Sequence, residues 1–445
     1  MKKPMICLGS ILALGGLVVL GAQEAPAARP ASTAPRVLTV EDAVRAVLEN
    51  NPAIKEAQDA VAVFEARVDG SRSRLQPQVR AELGYSRIAP TMEFTIPDFG
   101  TFQLYPANNF DLHAGVSQVV YDFNRTRESV NLSRSQTTSA ADQSEILRRD
   151  LSFQAIQLFY SILYLQDSLK VQEETVKTLD DHLAVARKKF EAGTATELEI
   201  LNTQVRLVAS ENQIVDLTSA REKQLLGLRR LMGLEDGVPL ELQGGFKYEP
   251  AALDADGLVR QALEQRPETR VVQDQIHTAN IRIRLAGLAD RPSLNLNVLA
   301  GWKNGYIPNL NTWKLNYVAA AAVDVPIFDG HRTRAMKAEA EADLRSYQDR
   351  GKEVESMVRT EVLQAAADVQ AAVRKLESVE VNVQRAQKAL DFARSRYEAG
   401  TVTNLDLLDT EDAYAQAELL RIQALFQFVL SRLALRRAAG DPAVG

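Results

Sequence analysis

Cysteine is almost absent: Cys7 is the only one in 445 residues. It lies inside the apolar run that opens the chain, too early in that run for a lipidated cleavage-site cysteine. Once the run is removed, no disulfide or thiol chemistry is left. Histidine is scarce as well. His113, His182, His277 and His331 are scattered with no metal-ligand spacing, and the Asp181-His182 pair reads as a solvated helix face. No phosphate-cradling Gly loop is followed by Lys, and there is no nucleophile elbow, so neither an enzyme nor a cofactor site is expected. Positive charge is not in excess: 52 Lys and Arg stand against 58 Asp and Glu, a net −6. Loss of Lys2 and Lys3 with the first 22 residues would make it −8, which speaks against nucleic acid as a partner.

Long apolar runs are missing except at the start. Ile6 to Leu20 follows Met1-Lys2-Lys3 and precedes small residues, Gly21-Ala22 and then Ala25-Pro26-Ala27-Ala28. This is the grammar of a secretory signal peptide over 1–22, with cleavage after Ala22 or after Ala27; a membrane anchor is the other reading. Residues 23–37, rich in Ala and Pro, read as a flexible leader. Aromatics make up only 6%, while Ala, Gln, Glu, Arg and Leu abound, and this balance favours long helices.

The chain is organised around a stretch written twice. ARKKFEAGTATELEILNT starts at 186 and ARSRYEAGTVTNLDLLDT at 393, a spacing of 207 with ten of eighteen positions identical. Each copy sets a Gly-Thr break between two long helix-patterned segments, the pattern of a helical hairpin tip. A second match extends the repeat. EDAVRAVLENNPAIKEAQDAV from 41 resembles DGLVRQALEQRPETRVVQDQI from 256, with Pro52 against Pro267, each able to open a helix. Thr39 and Asp42 form a capping-box pattern ahead of the first helix. The expected organisation is repeat 1 over 38–233, a linker over 234–251 and repeat 2 over 252–440.

After Pro77 and Pro292 the periodicity changes to two. Val79, Ala81, Leu83 and Tyr85 alternate with polar residues, as do Leu294, Leu296 and Val298, and a second strand follows in each repeat. The hairpins span about 78–121 and 293–327. Strands of roughly 9–11 residues with one apolar and one polar face suit a membrane-spanning barrel. Tyr85, Tyr121, Trp302, Trp313 and Tyr317 stand near strand ends, where an aromatic girdle belongs. A half-buried soluble sheet is the other reading. Four strands are too few to close a barrel, so spanning requires several chains to share one.

Related turns, starting at Asp122 and at Asp329, lead into the long helices. In the first copy Leu147, Leu151, Leu158, Ile162, Leu165, Leu169, Val176, Leu179, Leu183 and Phe190 recur at coiled-coil steps. The expected fold is therefore mainly α with a small β portion, in two structural repeats.

Signal peptide, doubled helix-strand-strand-long-helix units and paired Gly-Thr tips resemble the TolC-like outer-membrane efflux proteins, the outer membrane factors of tripartite efflux and type I secretion systems. The resemblance covers 38–440 and rests on Arg-x-x-x-Glu-Ala-Gly-Thr at 187–194 and again at 394–401, on Val-Pro-Ile-Phe-Asp-Gly at 325–330, and on the NNP and QRP helix breaks. It implies a homotrimer in the outer membrane of a Gram-negative bacterium. Four strands per chain would build a 12-stranded barrel, and the helical hairpins an α-barrel tunnel across the periplasm. The implied partners are a periplasmic adaptor, an inner-membrane pump and outer-membrane lipid, with the energy for export coming from the pump. The alternative class is a soluble periplasmic coiled-coil adaptor or structural protein; the lipoyl-like segments an adaptor would add are not visible after Leu234 or Gly440.

By that resemblance the tips, Gly193, Thr194, Leu198, Gly400, Thr401 and Leu405, dock the adaptor, although any helical hairpin needs a Gly to turn. Asp406 and Asp409, three apart on one face, match the acids that ring the periplasmic entrance. Thr403-x-x-Asp406 and Thr196-x-x-Glu199 also read as capping boxes, which leaves Asp409, opposite the neutral Asn202 in the other copy, unexplained. Tyr397 resembles a member of the bonds that close the entrance, with Glu199 as acceptor. Val402 stands where a basic partner is expected. Lys188, Lys189, Arg394 and Arg396 are candidates to compensate, or form an exposed basic face. The second hairpin, with two acids, is expected to dominate the gate.

Overall fold

The computed structural model describes residues 36–235, 239–249 and 253–441; the expected signal peptide with Cys7, and the leader up to Pro35, lie outside the described residues. The chain runs β1 (Arg36–Leu38), α1 (Val40–Asn50), α2 (Pro52–Ser73), β2 (Gln78–Arg87), β3 (Glu93–Ile96), β4 (Gly100–Gln103), β5 (Asn108–Tyr121), α3 (Arg125–Glu191), α4 (Glu197–Leu231), β6 (Leu240–Leu242), α5 (Ala255–Gln265), α6 (Pro267–Ala286), β7 (Ser293–Lys303), β8 (Lys314–Asp324), α7 (Arg332–Glu398) and α8 (Asn404–Ala438). In the long helices the duplication holds to the residue. α3 and α7 have 67 residues each and α4 and α8 have 35 each. At 1.5 Å per residue the long helices reach about 100 Å.

Local chemistry sets these boundaries. The Asp42 amide donates to Thr39 Oγ1 at 3.2 Å and the Thr39 amide to Asp42 Oδ2 at 3.3 Å, which closes the first capping box. Pro52 and Pro267 take the first positions of α2 and α6, where a missing N–H costs nothing. The matched turns before α3 and α7 share one device: Asp122 Oδ2 accepts from the Thr126 amide at 2.8 Å and hydroxyl at 2.5 Å, and Asp329 Oδ2 accepts from Thr333 at the same two distances. A carboxylate there satisfies N–H groups that a helix start otherwise leaves bare.

The four longer strands form one antiparallel sheet in the order β2-β5-β7-β8, so the two repeats join at β5 and β7. Both edges, β2 and β8, are unpaired among the described residues. One face carries Arg80, Glu82, Asp111, His113, Asn297, Lys303 and Asn316. The other carries Val79, Leu83, Tyr85, Trp302, Leu315 and Tyr317, all half or more exposed. Tyr85, Phe110 and Trp313 stack at one end of the strands and Tyr121 and Phe123 at the other. No described helix is long and apolar enough to cross a membrane.

Gly301 is required where β7 crosses β5. A Cβ there would stand 1.9 Å from the Leu112 carbonyl oxygen and 2.8 Å from the His113 ring, which lies across the glycine. The core proper is a girdle round the middle of the helices. Leu38, Val47, Ile54, Phe159, Ile162, Leu228 and Met232 form the cluster of repeat 1, and Val259, Val272, Val354, Val358, Val362 and Leu435 that of repeat 2.

Three expectations change. Arg36 and Val37, assigned to the leader, belong to β1, which pairs in parallel with β6 inside the linker. Leu38 and Leu242 are buried in the repeat 1 core, so the backbone that carries them needs partners. The segment between β2 and β5 holds its own small hairpin, β3 with β4, which pairs Phe94 with Phe102. Phe190, placed in the coiled-coil seam, is 46% exposed, because α3 ends one residue later and the packing ends with it.

Candidate gate at the hairpin tips

At the tip end the helices lie in the order α4, α3, α8, α7, two hairpins side by side with α3 against α8 at the junction. Each tip is a helix C-cap. Gly193 and Gly400 have φ of +80° and +72°, the left-handed region where glycine is unstrained, and open space lies around both. The Thr194 amide and hydroxyl both donate to the Lys189 carbonyl, at 2.8 and 3.0 Å, and Thr401 does the same to Arg396 at 2.9 and 3.1 Å. The repeated Gly-Thr is therefore a cap. Leu198 and Leu405 stand beside it, 63% and 50% exposed.

The acids divide as the capping pattern suggested. Glu199 accepts from the Thr196 amide at 3.2 Å, and Asp406 from the Thr403 amide at 2.9 Å and hydroxyl at 2.6 Å. The Thr403 hydrogen bonds hold the Asp406 carboxyl below the usual range. Asp409 is engaged differently. Arg206 of α4 places Nη2 2.6 Å from its Oδ1 and gives Nη1 to Asp412, so one guanidinium ties α4 to two acids of α8.

Tyr397 is 8% exposed, stacked on His182 with centroids 5.4 Å apart, and Lys189 Nζ sits 3.8 Å from its ring centre. Burial, followed by Glu199 and Glu411, raises its pKa. Its Oη has no hydrogen-bond partner among the described residues, so the bond expected to Glu199 is not made within the protomer. Glu199 is occupied as a cap instead. Of the basic residues considered for the place of Val402, Lys189 lies over the Tyr397 ring and Arg394 faces Glu411 at 3.7 Å.

His182 also departs from expectation: it is 7% exposed and not on a solvated face. Asn404 Oδ1 and Glu411 lie against it. Burial lowers the His182 pKa, against the Asn404 bond that raises it, and burial pushes Glu411 up to about 7. Arg206, Asp412, Asn404 and Glu411 went unsingled from sequence. Two signals were available in this region, one for Asp412 and one for the burial of His182, and none for Arg206, Asn404 or Glu411. Asp409-x-x-Asp412 prolongs the acidic face by one turn, and His182 falls in step with Leu179, Leu183 and Ala186, all buried.

The architecture is a pair of long helical hairpins set on a small sheet with an uncovered apolar face. A model of the outer membrane efflux protein family matches residues 43–234 and 258–441, and the chain belongs to that family. It is a channel-family protein of the Gram-negative outer membrane. Among curated relatives it is 24% identical to the pyoverdine export outer membrane protein OpmQ of Pseudomonas putida, over 82% of this chain and 80% of that one. It is 23% identical to the outer membrane protein TolC of Vibrio cholerae, over 88% of each. The solved outer membrane channel CmeC of Campylobacter jejuni shares the fold, with a TM-score of 0.77 at 16% identity, over 90% of this chain and 85% of that one.

Proposed function

We propose that the chain is the passive exit duct of a tripartite efflux or type I secretion system, built as a homotrimer. The observation that supports this most directly is the sheet. Its two edges are unpaired among the described residues and its apolar face is exposed, and lipid tolerates neither an open edge nor a lone four-stranded sheet. Three copies, edge β8 to edge β2, give twelve strands, an even-numbered closed barrel with the polar face inward.

The helical edges repeat the logic. Leu198, Leu201, Val205, Val208 and Val215 of α4 lie at coiled-coil steps and are all 50% or more exposed, a seam that fits the α7 edge of a neighbouring copy. Closing both edges continues the barrel as a tunnel across the periplasm. Substrate reaches it from an inner-membrane pump through a periplasmic adaptor that docks on Gly193, Thr194, Leu198, Gly400, Thr401 and Leu405. Asp406 and Asp409 then stand at the inner mouth, six carboxylates from three chains, with Tyr397 and Glu199 beside them.

Fractionation and recording test this reading. A heat-labile trimer in the outer membrane that conducts in planar bilayers is expected. A monomer recovered from the periplasm or the inner membrane overturns the reading in favour of a coiled-coil adaptor.

A further inference from the structure

Between the two hairpins lies a buried polar cluster that the duct, as drawn so far, does not use. Asn404 Nδ2 of α8 faces the Glu199 carbonyl at 3.4 Å, which turns its Oδ1 toward His182 Nε2 of α3, 2.5 Å away. An amide oxygen only accepts, so Nε2 carries the ring proton and Nδ1 of the neutral ring is left with a lone pair. Nδ1 points to Glu411 Oε2 of α8 at 3.8 Å, beyond hydrogen-bonding distance, and that buried oxygen has no hydrogen-bond partner among the described residues. His182 and Glu411 are 7% and 8% exposed. Separating α8 from the hairpin of α3 and α4 breaks every one of these contacts.

The titratable groups facing the pair come from all four helices. α3 adds Lys189, α4 adds Glu199 and Arg206, α7 adds Arg394 at 3.7 Å from Glu411 Oε1 and Tyr397 stacked on His182, and α8 adds Asp412. Arg394 and His182 approach the carboxyl of Glu411 at 3.7 and 3.8 Å, both outside hydrogen-bonding distance, so an ionised Glu411 is poorly held there and a neutral one costs less to bury.

We propose that His182 and Glu411 are a proton-operated latch between the hairpins, closed while Glu411 is protonated and His182 neutral, and released when Glu411 ionises. The latch rests on the reading of the tips as a gate. The direction of each titration agrees. The pKa of Glu411 is raised from 4.5 to about 7 in the closed packing, so its contribution to closure is complete below 4.5 and lost as pH rises through about 7. His182 is lowered from 6.5, so its contribution is present above 6.5 and lost as pH falls through the depressed value. Closure is therefore strongest on the acid side of neutrality and weakens in alkali.

The scarcity of cysteine permits a direct test. Ala186→Cys, one turn beyond His182 and 0% exposed, is introduced with Cys7→Ser into the full chain, and its alkylation rate is followed in detergent from pH 6 to pH 8. The same reporter with Glu411→Gln, isosteric and permanently neutral, supplies the intrinsic pH dependence of the thiol. The latch requires the ratio of the two rates to rise about tenfold over that range. A flat ratio overturns it. Should the Ala186→Cys chain pack poorly, Leu408→Cys on α8, also 0% exposed, serves as the reporter. Labelling does not depend on conduction: a flat ratio in a conducting trimer removes the latch and keeps the duct, and a rising ratio without conduction does the reverse.

Discussion

Arg206 of the first hairpin grips Asp409 of the second, Nη2 to Oδ1 at 2.6 Å, and reaches Asp412 with its other arm. The position matching Arg206 in the second copy is Ala413, so the bridge forms once per protomer. Replacing Arg206 by Gln frees both acids. Asp409 is 62% exposed, and such pairs are worth about 1 kcal/mol or less. The expected result is an open-to-closed ratio up to about fivefold higher per protomer in bilayer recordings, with high salt producing much of the same shift in the unmodified chain. Identical recordings for both chains would refute the bridge as a closing element.

Asp406 and Asp409 are read as facing the tunnel mouth. A double Asp406→Asn, Asp409→Asn variant keeps a side chain able to cap α8 at the first position and removes charge at both. It should lose cation selectivity and block by multivalent cations. Unchanged traces rule out the ring.

Gly400 has φ of +72° and no atom within 4 Å of a Cβ built on it. Gly400→Val then costs only local backbone strain, about 1–2 kcal/mol. The trimer should still assemble, while crosslinking to its adaptor is lost because the tip surface has changed. Normal crosslinking sinks the docking assignment.

Gly301 and Gly84 allow a comparison within the sheet. A Cβ on Gly84 meets Asp111 Cβ at 3.6 Å, an ordinary contact, whereas on Gly301 it meets a carbonyl at 1.9 Å. Gly301→Ala should cut the yield of heat-labile trimer in the outer membrane severalfold, and Gly84→Ala should leave it close to normal. Equal yields would mean that β5 and β7 do not cross as described.

Much of this architecture was legible because duplication doubles every local signal. Pro52 with Pro267, Asp122 with Asp329 and Gly193 with Gly400 each mark a boundary by short-range chemistry, and each is found where its spacing placed it. What escaped is what depends on a partner far along the chain. β1 is a three-residue strand whose mate lies some 200 residues away, and nothing local distinguishes it from a leader. The bridge from Arg206 to Asp409 and the burial of His182 arise only when two hairpins lie side by side, a contact that hydrophobic periodicity along one helix does not encode. Tyr397 was singled out by resemblance, yet its contacts are with His182 and Lys189 and its hydroxyl has no hydrogen-bond partner among the described residues.

The register of the sheet has a consequence for how the molecule is made. β5 pairs with β7 through partners such as His113 and Gly301, and between them the chain must travel out along α3, part of the way back along α4, and then through β6, α5 and α6. Closing so long a loop is slow when strands must search for each other and far faster once the intervening helices have folded and set their ends together. The helices between β5 and β7 are thus the scaffold on which the four-stranded sheet closes.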